Sequence, residues 1–441
     1  MLFRSLSSTF ANITLLDTKP DFDRLLRRME RATHVIPRLR QRVQSAPGGL
    51  GNPTWVDDPG FELRYHVRHV ALPKPGTMRQ LLDLAAQVTN DAFDRTRPLW
   101  QFVVIDGLRG GRSALLQKLH HTIVDGEGGV QLSLQFLDLE RDAPEPPPLD
   151  PDLIAAASEA AHEPHHAETL RDVLAGSFRM PLSLAKQVKD LLADPTGIPA
   201  AGTAAADTVR GIVQQLSDVE AARSPLWVRR SLGRRIEVLQ APFGACRQAA
   251  KRLGGTLNTA FLAAAADAAG RYHRELGAPV DHLRTSMVVS TRTETSGANA
   301  FSLARMLVPT GEMSIADRFA EIHQLTGEAR GGSTISGMEA ITALTTALPT
   351  AVVTRIARQQ AQTVDFATSN VRGAGVPLYL AGAQLLANHP VGPLMGVAFN
   401  LTLLSYNHRL DMGVNIDTAA VAEPDRLVKC LQRSFADLQA V

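Results

Sequence analysis

Helical and extended patterns alternate through both halves of the 441-residue chain, and no other feature restricts the fold as much. In the first half, "DFDRLLRRMERATHVI" (21–36) sets Leu25, Met29, Ala32 and Ile36 on one helical face, with Asp21 placed to cap the start and Pro37 to limit the end. A second helix fits "MRQLLDLAAQVTNDAFD" (78–94), and "LWQFVVIDGL" (99–108) and "SALLQKLHH" (113–121) read as strands joined by the short connection "RGGR". In the second half, the strand "RRIEVLQAPF" is followed by the helices "GACRQAAKRLGG" and "TLNTAFLAAAADAAGRYHRELG". Strands "LRTSMVVSTR", "ARMLVPT", "PLYLAGAQLL", "GVAFNLTLLSYN" and "RLDMGVNID" come next, with helices at 313–329 and 424–440. The Pro- and Asp-rich tract 141–152 and the Gly/Ala/Pro mixture 194–207 are linker-like. A chain this long exceeds what one core usually serves, so the expectation is two α/β sandwich domains, 1–190 and 226–441, joined by a linker over 191–225.

Charge and cysteine content remove several classes. With 46 basic against 44 acidic side chains, nothing argues for a nucleic-acid partner. Cys246 and Cys430 are distant and form no C-x-x-C pair, so neither a disulfide framework nor a thiolate zinc site is expected, and a reducing cytoplasm fits. The N-terminal residues are not read as a signal peptide. A stretch free of Asp, Glu, Lys and Arg runs from Gly373 to Asn407, but Pro377, Asn388, His389, Pro390, Pro393 and Asn400 interrupt it, which suits buried strands and turns better than a membrane span. No G-x-S-x-G, G-x-x-x-x-G-K-[ST] or G-x-G-x-x-G occurs.

Chemistry concentrates in "LHHTIVDGEGG" (119–129). On a strand, Leu119 and His121 share one face while His120 shares the other with Lys118, so only one histidine points straight into a given site. A neutral imidazole at a strand end suits a general base for a hydroxyl. Asp125 must lie beyond a turn that Gly126, Gly128 and Gly129 make easy, and its carboxylate is placed to orient the loop. Two ordinary strand-end histidines bonded to carbonyls fit the spacing equally well. A metal site fits less, because adjacent histidines face apart and no third ligand is offered. His165 and His166 lack the following Asp-Gly and read as exposed. A base with no evident protein nucleophile suggests direct transfer to a substrate hydroxyl.

The H-H-x-x-x-D-G pattern of His120, His121, Asp125 and Gly126 resembles the signature of the CoA-dependent acyltransferase superfamily. Its surroundings resemble one branch, the bacterial wax ester synthase/diacylglycerol acyltransferases: Pro98, Leu99 and Trp100 in "RPLWQFVVIDGL", Asn258 in "LGGTLNTAFLAAAADAAGRY", and the region from "SNVRGAG" to "LTLLSYNHRLDMGVNID". Departures are Thr259 where that family has Asp, Gln101 where Glu is common, and "SNVRGAG" for Ser-Asn-Val-Pro-Gly-Pro. The resemblance implies two chloramphenicol-acetyltransferase-like α/β sandwich domains with mixed sheets and an active site at their interface. It implies acyl-CoA as co-substrate with no cofactor, a diacylglycerol or fatty-alcohol acceptor, His121 as base, and an Asp125 held by an arginine, for which Arg292 is the candidate.

The remaining residues carry paired readings. Asn258 either donates to the oxyanion or caps its helix. Gly128 and Gly129 admit substrate or simply turn the chain into a helix over "VQLSLQFLDL". Trp100 is expected in the core, and Asn400 either anchors backbone or lines a substrate tunnel. The arginines of 24–42 either attract CoA phosphates or an anionic membrane, or form a solvated helix face. Peripheral association with the inner membrane face or a lipid droplet accompanies the lipid reading. Two other functions share the motif or the fold: a condensation-type domain using carrier-bound donors, and an acyl-lipid binding protein without turnover.

Overall fold

Local signals place most helices. Asp21 caps α1 (Phe22–Val35), its carboxylate accepting from the Arg24 N–H at 3.0 Å. After the single turn α2 (Leu63–His66), Thr77 and Gln80 form a reciprocal capping box at the start of α3 (Met78–Asn90). In the second half α4 (Phe243–Arg252) precedes α5 (Leu257–Glu275), whose alanine run from Ala263 to Ala266 is fully buried. The helices α6 (Ile315–Gly331) and α7 (Pro424–Ala440) complete the set, the latter opened by Pro424 as favoured at a first helical position. The computed structural model describes residues 8–44, 53–123, 129, 132–146, 222–290, 301–331 and 362–441. The expected linker 191–225 and the pair His165 and His166 lie largely outside them.

Two mixed sheets organise these helices. The first contains β1 (Thr9–Leu16), β4 (Val67–Ala71), β5 (Trp100–Leu108), β6 (Arg112–His120), β7 (Leu137–Asp138), β12 (Tyr379–Leu380) and β13 (Ala383–Val391), in the order β4-β5-β6-β1-β13-β12-β7. The second contains β8 (Arg234–Pro242), β9 (His282–Ser290), β10 (Phe301–Pro309), β11 (Phe366–Arg372), β14 (Phe399–Tyr406) and β15 (Arg409–Asp417), in the order β10-β9-β11-β14-β15-β8. A separate ribbon pairs β2 (Gln41–Gln44) with β3 (Thr54–Asp57). The α/β class with two layered, mixed sheets is as expected.

The sheets do not divide where the sequence suggested. Residues 379–391, in the expected C-terminal domain, pair with β1 and β7 in the first sheet. "PLYLAGAQLL", read as one strand, is a hairpin in which Ala381 (φ 44°) and Gly382 (φ 89°) are both left-handed, the backbone that a two-residue hairpin turn requires. "VQLSLQFLDL", read as a helix, ends instead in β7, because Leu137 and Asp138 pair with β12. β13 also runs against β15 of the second sheet. There Gly413 is required, since a Cβ would stand 2.1 Å from the Pro390 carbonyl oxygen. The Asn388 N–H donates to Asp411 Oδ2 at 2.7 Å, His389 Nδ1 to the Met412 carbonyl at 3.2 Å, and Asn415 Nδ2 to the Gly392 carbonyl at 2.9 Å. This hydrogen-bonded crossing joins the two halves.

Candidate active site

The histidine pair sits where β6 ends. β6 lies between β5 and β1, its Trp100↔Leu119 and Phe10↔Leu119 pairings locking the register of the last residues. The ladder continues one residue past the strand, the His121 N–H donating to the Ser8 carbonyl at 3.0 Å, and the chain then turns with the Ile123 N–H bonded to the His120 carbonyl at 2.9 Å.

The two rings have different surroundings. The Thr122 N–H points at His120 Nδ1 from 3.3 Å, so that nitrogen accepts and the proton sits on Nε2. Burial, assisted by the Arg95 charge, holds His120 below the usual imidazole range and keeps it neutral. His120 therefore fixes the turn. His121, half-buried, lies on the other side against the Phe10 ring, centroids 4.6 Å apart and tilted by 38°. On the His120 side, Lys118 is buried, donates to the Asp91 carbonyl at 2.7 Å over the Phe93 ring, and is pushed down to about 8 by burial. The face assignment from strand alternation is as observed.

Gly129 lies against the same Phe10: a Cβ built on it would be 4.0 Å from Phe10 Cε2, ordinary contact, and its φ is not left-handed. Neither tight space nor special backbone requires glycine at this position. Its carbonyl accepts from Ser133 Oγ at 2.8 Å, the spacing of a helical turn. Asp125, Gly126, Gly128 and Arg292 lie outside the described residues.

Other candidates have structural duties. Thr256, not Asn258, caps α5, its hydroxyl accepting from the Thr259 N–H at 3.2 Å. The capping reading of Asn258 is thereby replaced; its Nδ2 donates to the thioether of Met287 on β9 at 3.1 Å, a weak acceptor. Asn400 donates to the Pro393 carbonyl at 2.8 Å and accepts from Thr402 at 2.9 Å, which anchors the β13–β14 connection. Trp100 is fully buried, donates to the Leu39 carbonyl at 2.8 Å and stacks on His66 at 4.6 Å. The arginine stripe of α1 is divided: Arg27 stays exposed, as on a solvated face, while Arg24 and Arg28 are largely withdrawn from solvent. Arg24 and Arg28 both reach Asp138 Oδ atoms at 3.0 Å, and Arg27 and Arg28 reach Glu145 at 2.8 and 3.3 Å.

No group of three or more His, Cys, Asp or Glu suited to a metal ion occurs among the described residues. A cavity of about 520 Å³ lined by Arg235, Glu275 and Glu423 lies at the start of α7, and its arginines already answer carboxylates, as in Arg426–Glu423 and Arg433–Glu275. Sequence reasoning missed Phe10, although "TFANITLL" alternates apolar Ala11, Ile13 and Leu15 with polar Asn12 and Thr14, the pattern of a half-buried strand.

A strand-end histidine pair thus sits on one of two mixed sheets that are held together by hydrogen bonds between β13 and β15, a two-sheet α/β architecture. The chain matches the wax ester synthase/diacylglycerol acyltransferase catalytic domain over residues 7–261 and the C-terminal domain of the same group over 297–439, and it belongs to that family. It is 32% identical to a Mycobacterium tuberculosis (strain H37Rv) protein bearing the name diacylglycerol O-acyltransferase, over 97% of this chain and 87% of that one. A second protein of that strain and name is 29% identical over 97% and 92%. In fold it resembles the wax ester synthase/diacylglycerol acyltransferase of Marinobacter aquaeolei, with a TM-score of 0.65 at 22% identity over 99% of this chain and 95% of that one. It also resembles the first condensation domain of the calcium-dependent antibiotic synthetase, with a TM-score of 0.56 at 14% identity over 99% and 91%. The chain is an acyltransferase.

Proposed function

We propose that the protein transfers a fatty acyl group from acyl-CoA to a lipid hydroxyl, diacylglycerol or a fatty alcohol, with His121 as general base. The observation that supports this most is the division between the paired rings: His120 is committed to the turn through Thr122, and His121 is held on the opposite face against Phe10. The alcohol oxygen attacks the thioester carbonyl carbon as His121 takes the hydroxyl proton. The tetrahedral intermediate then expels the CoA thiolate, which receives that proton from the imidazolium. General-base help of this kind is worth roughly two to four orders of magnitude in rate. Asn258, whose present acceptor is only a thioether, is the side chain we assign to the oxyanion. Among the described residues no helix is long and apolar enough to cross a membrane, and we assign contact with the lipid phase to peripheral association.

The test is CoA release from palmitoyl-CoA by wild type and His121→Ala, with dioleoylglycerol or hexadecanol supplied in parallel and the lipid products separated. Acceptor-dependent release that falls by about 10²-fold or more in the variant is expected. Release that is equal in both proteins would remove His121 from the base role.

A further inference from the structure

The sheet face that carries His121 also carries a row of amides. Asn12 on β1 lies between Gln117 on β6 and Asn388 on β13, its Nδ2 pointing at Gln117 Oε1 at 2.9 Å, at Asn388 Oδ1, and at Thr14 Oγ1 at 3.2 Å. The Thr14 hydroxyl donates to Asn388 Oδ1 at 2.8 Å. Strand alternation places Gln117 and Leu119 on the His121 side of β6, and Phe10, Asn12 and Thr14 on the matching side of β1. The row ends at the crossing between the sheets, where the Asn388 N–H meets Asp411.

The row is incompletely bonded. Two N–H groups of Asn12 face three acceptors, and its buried Oδ1 accepts nothing. The side-chain nitrogens of Gln117 and Asn388 donate to no described residue, although Gln117 is only 6% exposed. Buried amides are normally paired, and a partly satisfied polar network whose members Asn12 and Asn388 are only half-buried leaves hydrogen-bonding groups for an outside partner.

Position selects that partner. Gln117 is four residues from His121 along the strand direction, about 13 Å at the usual rise. The ester groups of a glycerolipid acceptor stand only a few bonds from its free hydroxyl and do not extend so far from the reacting centre, and an acyl chain has no polar atoms to offer. The arm of a coenzyme A thioester carries two secondary amides and a hydroxyl strung along an extended chain from the sulfur. We propose that Asn12, Gln117 and Asn388 bind this arm and make the enzyme discriminate a full coenzyme A thioester from a truncated one. The proposal rests on the acyl-CoA reading above.

The experiment compares palmitoyl-CoA with palmitoyl-N-acetylcysteamine, which keeps the thioester and the nearer amide but lacks the rest of the arm, for wild type, Asn12→Leu and the near-isosteric Gln117→Met. The expected result is a KM for palmitoyl-CoA raised about tenfold in each variant, the scale of one or two lost hydrogen bonds, with the KM for the short thioester unchanged. A parallel rise with both thioesters, or a rise confined to the acceptor, overturns the assignment. Wild type supplies a measurement independent of variant folding: equal KM values for the two thioesters also overturn it. A wild type inert towards both thioesters with either acceptor defeats the acyl-CoA reading itself, and the proposal falls with it.

Discussion

On either side of residues 147–221 the chain is pinned by two anchors that use opposite electrostatics. The leading anchor is ionic: Arg24 and Arg28 of α1 grip Asp138, and the same guanidinium groups donate to the carbonyls of Ala143 and Pro144 at 2.5 and 3.0 Å. The trailing anchor is neutral at the ring that holds it. Ser224 Oγ donates to His273 Nε2 at 2.7 Å and accepts the Trp227 N–H at 2.9 Å, while His273 Nδ1 donates to the Ala269 carbonyl at 2.8 Å. Asp365 completes it by accepting the Ser224 N–H at 2.9 Å. This trio has the residue types of a hydrolytic relay but not the connections. The aspartate binds serine backbone rather than the imidazole, and His273 is fully buried. The lesson is that residue type alone does not mark a site: Arg24 and Arg28, from a stripe for which phosphate attraction and a solvated face were the alternatives, and a Ser–His–Asp set both turn out to fasten the chain.

The largest effect should come from Asp138→Ala, which leaves two largely buried guanidinium groups without their shared carboxylate. A loss of about 3–5 kcal/mol in denaturant unfolding is expected, as for a buried pair broken from one side. A loss below 1 kcal/mol would show that Glu145 and the carbonyls suffice. Ser224→Ala strips the trailing anchor of one hydroxyl and should cost about 1–3 kcal/mol, the range for leaving buried partners unsatisfied. Acid then separates the two anchors. Burial holds His273 below the ordinary imidazole range, so the folded protein keeps it neutral while the unfolded chain protonates near its usual pKa of about 6.5. Its contribution is complete above that value and is lost as pH falls below it, whereas arginines remain charged throughout. The stability advantage of wild type over His273→Gln should therefore shrink between pH 7 and pH 5. The advantage over Arg28→Ala should not shrink in that way, and parallel losses would contradict the neutral reading of the trailing anchor.

Legibility followed the range of the interactions. α7 is found at the boundaries expected, because Pro424 and the 3.6-residue apolar stripe act within a few residues of each other. β5 and β6 are found within a residue of expectation, joined by their short glycine connection. The hairpin at 381–382 was hidden because alanine takes a left-handed turn position that sequence reserves for glycine or asparagine. β11 was hidden because "FATSNVR" is short and polar at its outer end, and its parallel partners β9 and β14 are distant in sequence. Of the site, His120, His121 and their opposite faces were legible from period-2 alternation. Trp100 was legible as a core residue and is found there, whereas the role of Asn400 was legible only as a pair of alternatives.

The sequence by itself determined the α/β class, most helices, and a histidine motif at a strand end, because periodicity, caps and turn residues are local properties. Tertiary structure alone decided that β13 belongs to the first sheet, that Arg24 and Arg28 of α1 pair with Asp138, and that Asn12, Gln117 and Asn388 form one row. Those contacts join residues more than a hundred positions apart, and their selection depends on which apolar faces bury each other, which no short window of sequence contains.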